Sequence, residues 1–253
     1  MAHMRHSITW STVLAAFISS AAVPAQPGWI AEYTAEYEVR NGGRHLADAV
    51  FRVAHDTSGK YTFSSSARAR GILRLARPDP AVDWSEFSLV EGRIVPMLFR
   101  YEDGSRKGED NFSVTFDATS GEVRISGAGG PQTLPFEPGL LDRGSIQVAL
   151  MRDLGACRLP DSYHYVDDDG LGEYHFERVE DLPVETGIGT LETVRFSQRR
   201  EGSSRQTVLW LAPELDYLPV RIEQIRNGEI DTSFALEDVT GIERSTPACS
   251  GLG

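Results

Sequence analysis

The amino-acid sequence predicts a mainly β protein, a single curved antiparallel sheet of about twelve strands forming an open or half barrel, with one amphipathic helix on its concave face. Three observations predict it. Apolar and polar residues alternate along most of the chain, turn dipeptides interrupt the alternation at short intervals, and one segment switches to helical periodicity.

The first strand is the clearest. Trp29, Ala31, Tyr33, Ala35, Tyr37 and Val39 alternate with Ile30, Glu32, Thr34, Glu36, Glu38 and Arg40, which sets an apolar face against a mainly charged one. The pattern recurs in Tyr61, Phe63, Ser65 and Ala67, in Phe112, Val114 and Phe116, and in Tyr174 and Phe176. Between such runs stand Asn41-Gly42, Ser58-Gly59, Glu91-Gly92, Asp103-Gly104, Ser120-Gly121, Asp169-Gly170 and Asn227-Gly228, all suited to the positive φ of tight hairpins. The strands therefore follow one another as a meander. Several exceed the usual length of about 5–6 residues, as a strongly curved sheet requires.

The helical segment runs from about 142 to 154. Asp142 suits the N-cap with Ser145 three residues on, and Ile146, Ala149, Leu150 and Leu154 form a stripe ended by Gly155. That stripe needs an apolar partner, and the concave face of the sheet is the one available. The Pro- and Gly-rich stretch from Gly127 to Gly139 reads as a connection, because each half of the chain alone would be a small sheet with one uncovered apolar face. Residues 26–253 are thus expected to form one β-rich domain.

Residues 1–25 read as a cleavable secretory signal. Arg5 precedes an uncharged run from Ser7 to Ala25, with Val23 and Ala25 as the small residues before a cut. Ser7, Thr9, Ser11, Thr12, Ser19 and Ser20 make the run a poor match to the roughly 20 strongly apolar residues of a permanent span. The expected location is the periplasm, with no integral membrane segment after cleavage. The remaining 228 residues carry 24 cations against 37 acids, a net charge of −13 that disfavours nucleic acid and anionic membrane surfaces. Cys157 and Cys249, in neither a CxxC nor a Cys/His cluster, read as a disulfide in an oxidising compartment.

Patterns that carry chemistry are sparse. His45, His55, His164 and His175 lack metal-ligand spacing, and the one arrangement to consider is His175, beside Glu173 and Glu177, paired across strands with His164. Solvated strand positions are the simpler reading. Asp167-Asp168-Asp169-Gly170 lacks the spaced acids of a calcium loop and reads as an acidic turn. Ser145 sits in no GxSxG elbow, so capping explains it. No catalytic residue, metal or cofactor is assigned. The aromatics Tyr33, Tyr37, Phe63, Phe99, Trp210 and Tyr217 are the candidate ligand contacts, since one helix is little to fill a wide sheet; an ordinary packed core is the alternative.

The run Thr207-Val208-Leu209-Trp210-Leu211-Ala212-Pro213-Glu214-Leu215-Asp216-Tyr217-Leu218-Pro219-Val220-Arg221-Ile222-Glu223 resembles the closing signature of the bacterial family known as domain of unknown function 3108. Tyr33 to Val39, Arg68-Ala69-Arg70-Gly71, Pro96 to Tyr101 and Leu141 to Ser145 look like that family in the same order. The resemblance implies an envelope protein and brings no catalytic residues. In outline the meander with one helix is also similar to the half-barrels of lipoprotein carriers, an analogy of fold only. The expected function is non-enzymatic binding of a lipid, lipoprotein or other amphipathic ligand. The alternatives are an envelope hydrolase or glycan-active enzyme, and a scaffold that engages an envelope protein partner.

Overall fold

A computed structural model describes residues 30–247 and Cys249, so residues 1–25 and Trp29 lie outside the described residues. The first half of the chain forms β1 (Tyr33–Asn41), β2 (Arg44–His55), β3 (Lys60–Ala69), β4 (Ala81–Val90), β5 (Arg93–Glu102), β6 (Phe112–Asp117), β7 (Glu122–Ser126) and β8 (Gln132–Pro135). The helix α1 (Arg143–Gly155) follows. The second half forms β9 (Ser162–Asp167), β10 (Gly170–Val179), β11 (Val184–Thr186), β12 (Gly189–Leu191), β13 (Val194–Arg200), β14 (Arg205–Ala212), β15 (Leu218–Arg226) and β16 (Glu229–Thr240). The strands beyond the expected dozen include short ones such as β8, β11 and β12, whose three or four residues are too few to show an alternation.

Fourteen strands make one antiparallel sheet in the order β8-β7-β6-β5-β4-β3-β2-β1-β16-β15-β14-β13-β10-β9, and β11–β12 is a separate hairpin. The sheet is thus two meanders joined where the first and last strands pair, through Thr34↔Thr240, Tyr37↔Leu236 and Arg40↔Ser233. Its two edges, β8 and β9, share no ladder. Between them runs the connection to α1: Phe136 donates its N–H to Gly121 O, and Leu141 bridges Tyr165 in parallel, donating to His164 O and accepting from Val166. Val166 of β9 packs with Phe99, Phe112, Val114, Phe116, Val123, Ile125 and Leu140, so side chains close the seam that backbone bonds leave open.

The alternation read from the sequence is the in–out alternation of the sheet. Tyr33, Ala35, Tyr37 and Val39 are buried, and Ala49, Phe51 and Val53 on β2 and Tyr61 and Phe63 on β3 extend the same face. The helix lies on this concave face, packed against β3, β4, β5 and β9. Its expected stripe of Ile146, Ala149, Leu150 and Leu154 is buried, and so are Val148 and Met151 off the stripe. A helix apolar on most of its circumference belongs in an interior. It is a plug within the curl of the sheet rather than a lid over it.

Cys157, just past α1, is disulfide-bonded to Cys249, with Cα atoms 5.6 Å apart across 92 residues. The tail is also held by Ser245 N–H donating to Glu214 O and by Arg244 donating to Ile188 O. Closing a loop of that length is worth about 4–5 kcal/mol on the chain-entropy model. Reduction, or Cys157→Ser with Cys249→Ser, is therefore expected to cost roughly 2–5 kcal/mol in denaturant unfolding, and an unchanged midpoint would show that the bridge carries no load.

Candidate functional site

The site is built from the first turn of α1. Asp142 caps the helix, its carboxylate accepting from the N–H groups of Gly144 and Ser145 while Ser145 Oγ accepts from the N–H of Asp142. Ser85 of β4 donates to the second oxygen at 2.8 Å. Burial raises the Asp142 carboxyl to about 6, against the pull of these hydrogen bonds. Gly144 is required by close approach, since a Cβ there would sit 2.7 Å from Phe63 and 2.8 Å from Ser85.

Arg143 reaches from β4, β5 and β6 on one side to the edge strand β9 on the other. It donates to Asp83 of β4 at 2.8 Å and faces Asp167 of β9 at 3.8 Å. Its guanidinium lies 5.4, 4.8 and 5.3 Å from the ring centres of Phe99, Tyr101 and Phe112, within cation–π range. Burial raises the Asp83 and Asp167 carboxyls, with Arg143 pulling each back down. Beside it Tyr165 and Tyr174 stack with ring centres 4.2 Å apart.

From this turn the space between α1 and β13–β16 opens as a lumen of two adjoining compartments that share Asp83, Arg143, Tyr174, Gln198, Thr207 and Gln224. The inner one, about 240 Å³, is floored by Phe51, Phe63, Leu150, Leu209, Ile222 and Phe234. The outer one, about 620 Å³, is walled by Arg200, Arg205, Arg226, Asp167, Asp231 and Tyr165.

Strand register explains the gradient, because every second residue of a strand faces the same side. Deepest are Phe196, Leu209 and Ile222, paired in register, with Ile222 paired in turn to Phe234. Two residues nearer the mouth, Gln198, Thr207 and Gln224 form a polar belt. Two further on, Arg205 and Arg226 face each other, with Arg200 at the end of β13. The walls therefore pass from aliphatic and aromatic through amide and hydroxyl to guanidinium.

Of the six aromatics singled out from the sequence, Phe63 lines this lumen. Tyr33 accepts from Gln147 of α1 at 3.1 Å, Tyr37 donates to Pro219 O at 2.7 Å, and Phe99 lies under Arg143, so these three are core contacts. Trp210 faces away from the lumen, opposite to Leu209 and Leu211, with Arg195 and Arg221 over its ring at 4.6 and 5.3 Å. Tyr217 is buried at the β14–β15 corner with φ of 59°. Both are therefore packed in the core rather than in the lumen.

The histidines do not converge on a nucleophile. His164 and His175 flank Glu173 at 3.3 and 3.6 Å with their side chains 56% and 52% exposed, a solvated row on β9–β10. The three acids of the turn come together, but Asp167 faces Arg143 and Asp169 pairs with Arg200 at 3.0 Å.

Fold and site together define an open β-barrel, plugged by one helix, with an apolar lumen and a charged mouth. The chain belongs to the family described as protein of unknown function (DUF3108), whose model matches residues 32–234. No curated protein matches it. Among solved structures it is similar to a β-barrel-like protein of domain of unknown function DUF1849 from Brucella abortus, at 11% identity over 85% of this chain and 99% of that one, with a TM-score of 0.48. It is also similar to a candidate exported protein with a YmcC-like fold from Bacteroides fragilis, at 12% identity over 86% and 97% of the two chains, with a TM-score of 0.32. A candidate lipoprotein from Parabacteroides distasonis matches at 8% identity over 83% and 95%, with a TM-score of 0.33.

Two outcomes are expected at the helix start. Gly144→Ala should lose about 1–3 kcal/mol in denaturant unfolding despite the better helix propensity of alanine, because Phe63 and Ser85 must move; a gain in stability would contradict the packing. The raised carboxyl of Asp142 favours the folded state below its ordinary value of 3.8, and that contribution is lost as pH rises through about 6. Asp142→Asn, which keeps the cap acceptor and stays neutral, should abolish a fall on the order of 2 kcal/mol between pH 4 and 7; parallel pH profiles for the two proteins would contradict the assignment.

Proposed function

We propose that the protein is a non-enzymatic binder of an amphipathic envelope ligand, a lipid, lipopeptide or glycolipid, held in the lumen between α1 and β13–β16 and acting in the periplasm. The single observation behind this reading is the layered wall. An apolar chain is accommodated against Leu209, Ile222 and Phe234, its polar linkage meets Gln198, Thr207 and Gln224, and its head group reaches Arg205 and Arg226 at the mouth. The outer compartment lies within the range of roughly 300–1,000 Å³ of small-molecule sites. The secretory pattern in residues 1–25 and the Cys157–Cys249 disulfide support the location.

The enzymatic alternative needs a nucleophile, base or metal within the lumen. The titratable groups there are Asp83, Asp167, Asp231, Tyr101, Tyr165, Tyr174 and arginines, and the two half-buried carboxylates, Asp83 and Asp167, both face Arg143. Head-group preference follows from the mouth: arginine forks match phosphate and carboxylate oxygens.

Native mass spectrometry of the chain purified from its own envelope tests the proposal. A copurifying amphiphile is expected, and Leu209→Trp, which fills the floor, should lower its occupancy about tenfold or more. A bare protein mass together with unchanged melting on adding phosphatidylglycerol or lysophospholipid would end it.

A further inference from the structure

The connection between β3 and β4 carries an exposed apolar tip. Its 3-10 turn, Gly71–Leu75, buries no residue, and Ile72, Leu73 and Leu75 are 80%, 41% and 73% exposed. Single exposed aliphatics are ordinary, but three within four positions on one turn leave a driving force unused. The turn is not loose. At its base Arg70 N–H donates to Leu46 O and its guanidinium pairs with Asp48 at 2.9 Å. At its exit Arg77 donates to Asp103 O and Asp79 N–H to Gly104 O, with Pro78 and Pro80 stiffening the return. The fold therefore holds these side chains out in water on a fixed support.

The tip segment itself is cationic. From residue 68 to 78 the chain has Arg68, Arg70, Arg74 and Arg77 and no acid, with Asp48 paired to Arg70 and Asp79 and Asp103 at the base of the turn, in a protein with a formal net charge of −12. At physiological ionic strength fields fade over about 8 Å, so a surface touching the tip meets these arginines rather than the net charge.

The tip also stands at the mouth. Strand β3 passes the lumen at Ser65 and ends at Ala69, while β4 starts at Ala81 and reaches the lumen at Asp83. The same end of the barrel carries the end of β13 at Arg200, the start of β14 at Arg205 and the end of β15 at Arg226.

We infer that the β3–β4 tip docks the protein on an anionic lipid bilayer, with Ile72, Leu73 and Leu75 entering the head-group boundary and Arg74 between them at the phosphates. Apolar side chains flanked by cations at one rim are the chemistry of an interfacial anchor. The docked orientation turns the mouth toward the membrane. The inference stands apart from the lumen ligand: a bilayer contact needs the tip and not the cavity.

Flotation of the mature chain with phosphatidylethanolamine vesicles, with and without phosphatidylglycerol, tests it. Binding is expected to the phosphatidylglycerol vesicles, to fall more than about tenfold in Ile72→Asp with Leu75→Asp, and to fall at least about fivefold in Arg74→Glu. Melting of the Ile72→Asp with Leu75→Asp and Arg74→Glu variants should match the parent, since these three side chains are exposed. Leu209→Trp should float as the parent does, which separates this inference from lipid uptake, and a tryptophan placed by Ile72→Trp should shift its emission to the blue on the vesicles. No association of the parent with phosphatidylglycerol vesicles would overturn the inference. So would association that the paired aspartates leave intact, or a dimer in solution that the same aspartates dissolve, for then a second copy is the occupant.

Discussion

The architecture depends on burying one helical turn, Asp142 to Ser145, inside a sheet whose edges do not pair. An open edge leaves backbone donors and acceptors unmatched, and here the chain crossing the gap both bridges β9 through Leu141 and begins the helix that fills the curl. Each residue has a separate physical duty. Asp142 satisfies the free N–H groups, Gly144 lets the helix approach Phe63 and Ser85, and Ser145 returns the cap. A cation at a helix N-terminus opposes the macrodipole by about 0.3–1 kcal/mol. At Arg143 that penalty is offset by Asp83, Asp167 and three aromatic rings, drawn from strands on both sides of the seam.

The lumen follows from where this turn is fixed. Because α1 is held against β3, β4, β5 and β9, it leans to one side of the curl and leaves space before β13–β16. The wall there inherits the period of two, so the chemistry of the lumen changes in steps of two residues from Leu209 to Thr207 to Arg205. The gradient needs no special loop; it is a property of three adjacent strands in register.

The sequence made the sheet, its continuity and the helix legible because period-two alternation and a capped 3.6-residue stripe are local signals. It placed Cys157 with Cys249 on a different ground, as the even pair in a chain read as secreted. The wall of the site was far less legible. Aromatic residues draw the eye, yet Tyr33, Tyr37 and Phe99 were consumed by contacts with α1, Pro219 and Arg143. Trp210 sits on a strand apolar on both sides, where alternation alone cannot say which face is inward, and register placed it opposite to the lumen. Arg200, Arg205 and Arg226 carry no local signal, because only pairing between strands brings them to one mouth. The signal that could have found them is the stepwise series Arg205, Thr207, Leu209 on one strand beside its mirror Ile222, Gln224, Arg226 on the next.

The burial of Val148 and Met151 sharpens the role of the helix: it is core on most sides, so its removal would open the whole barrel rather than uncover a ligand. The central claim is that the helix leaves the β13–β15 side unfilled and that an amphiphile occupies it. A crystal structure of the chain purified from its native cells tests this most directly. The account predicts elongated density with its apolar end against Leu209, Ile222 and Phe234 and its head at Arg205 and Arg226; a lumen collapsed onto α1, with those side chains in mutual contact, would contradict it.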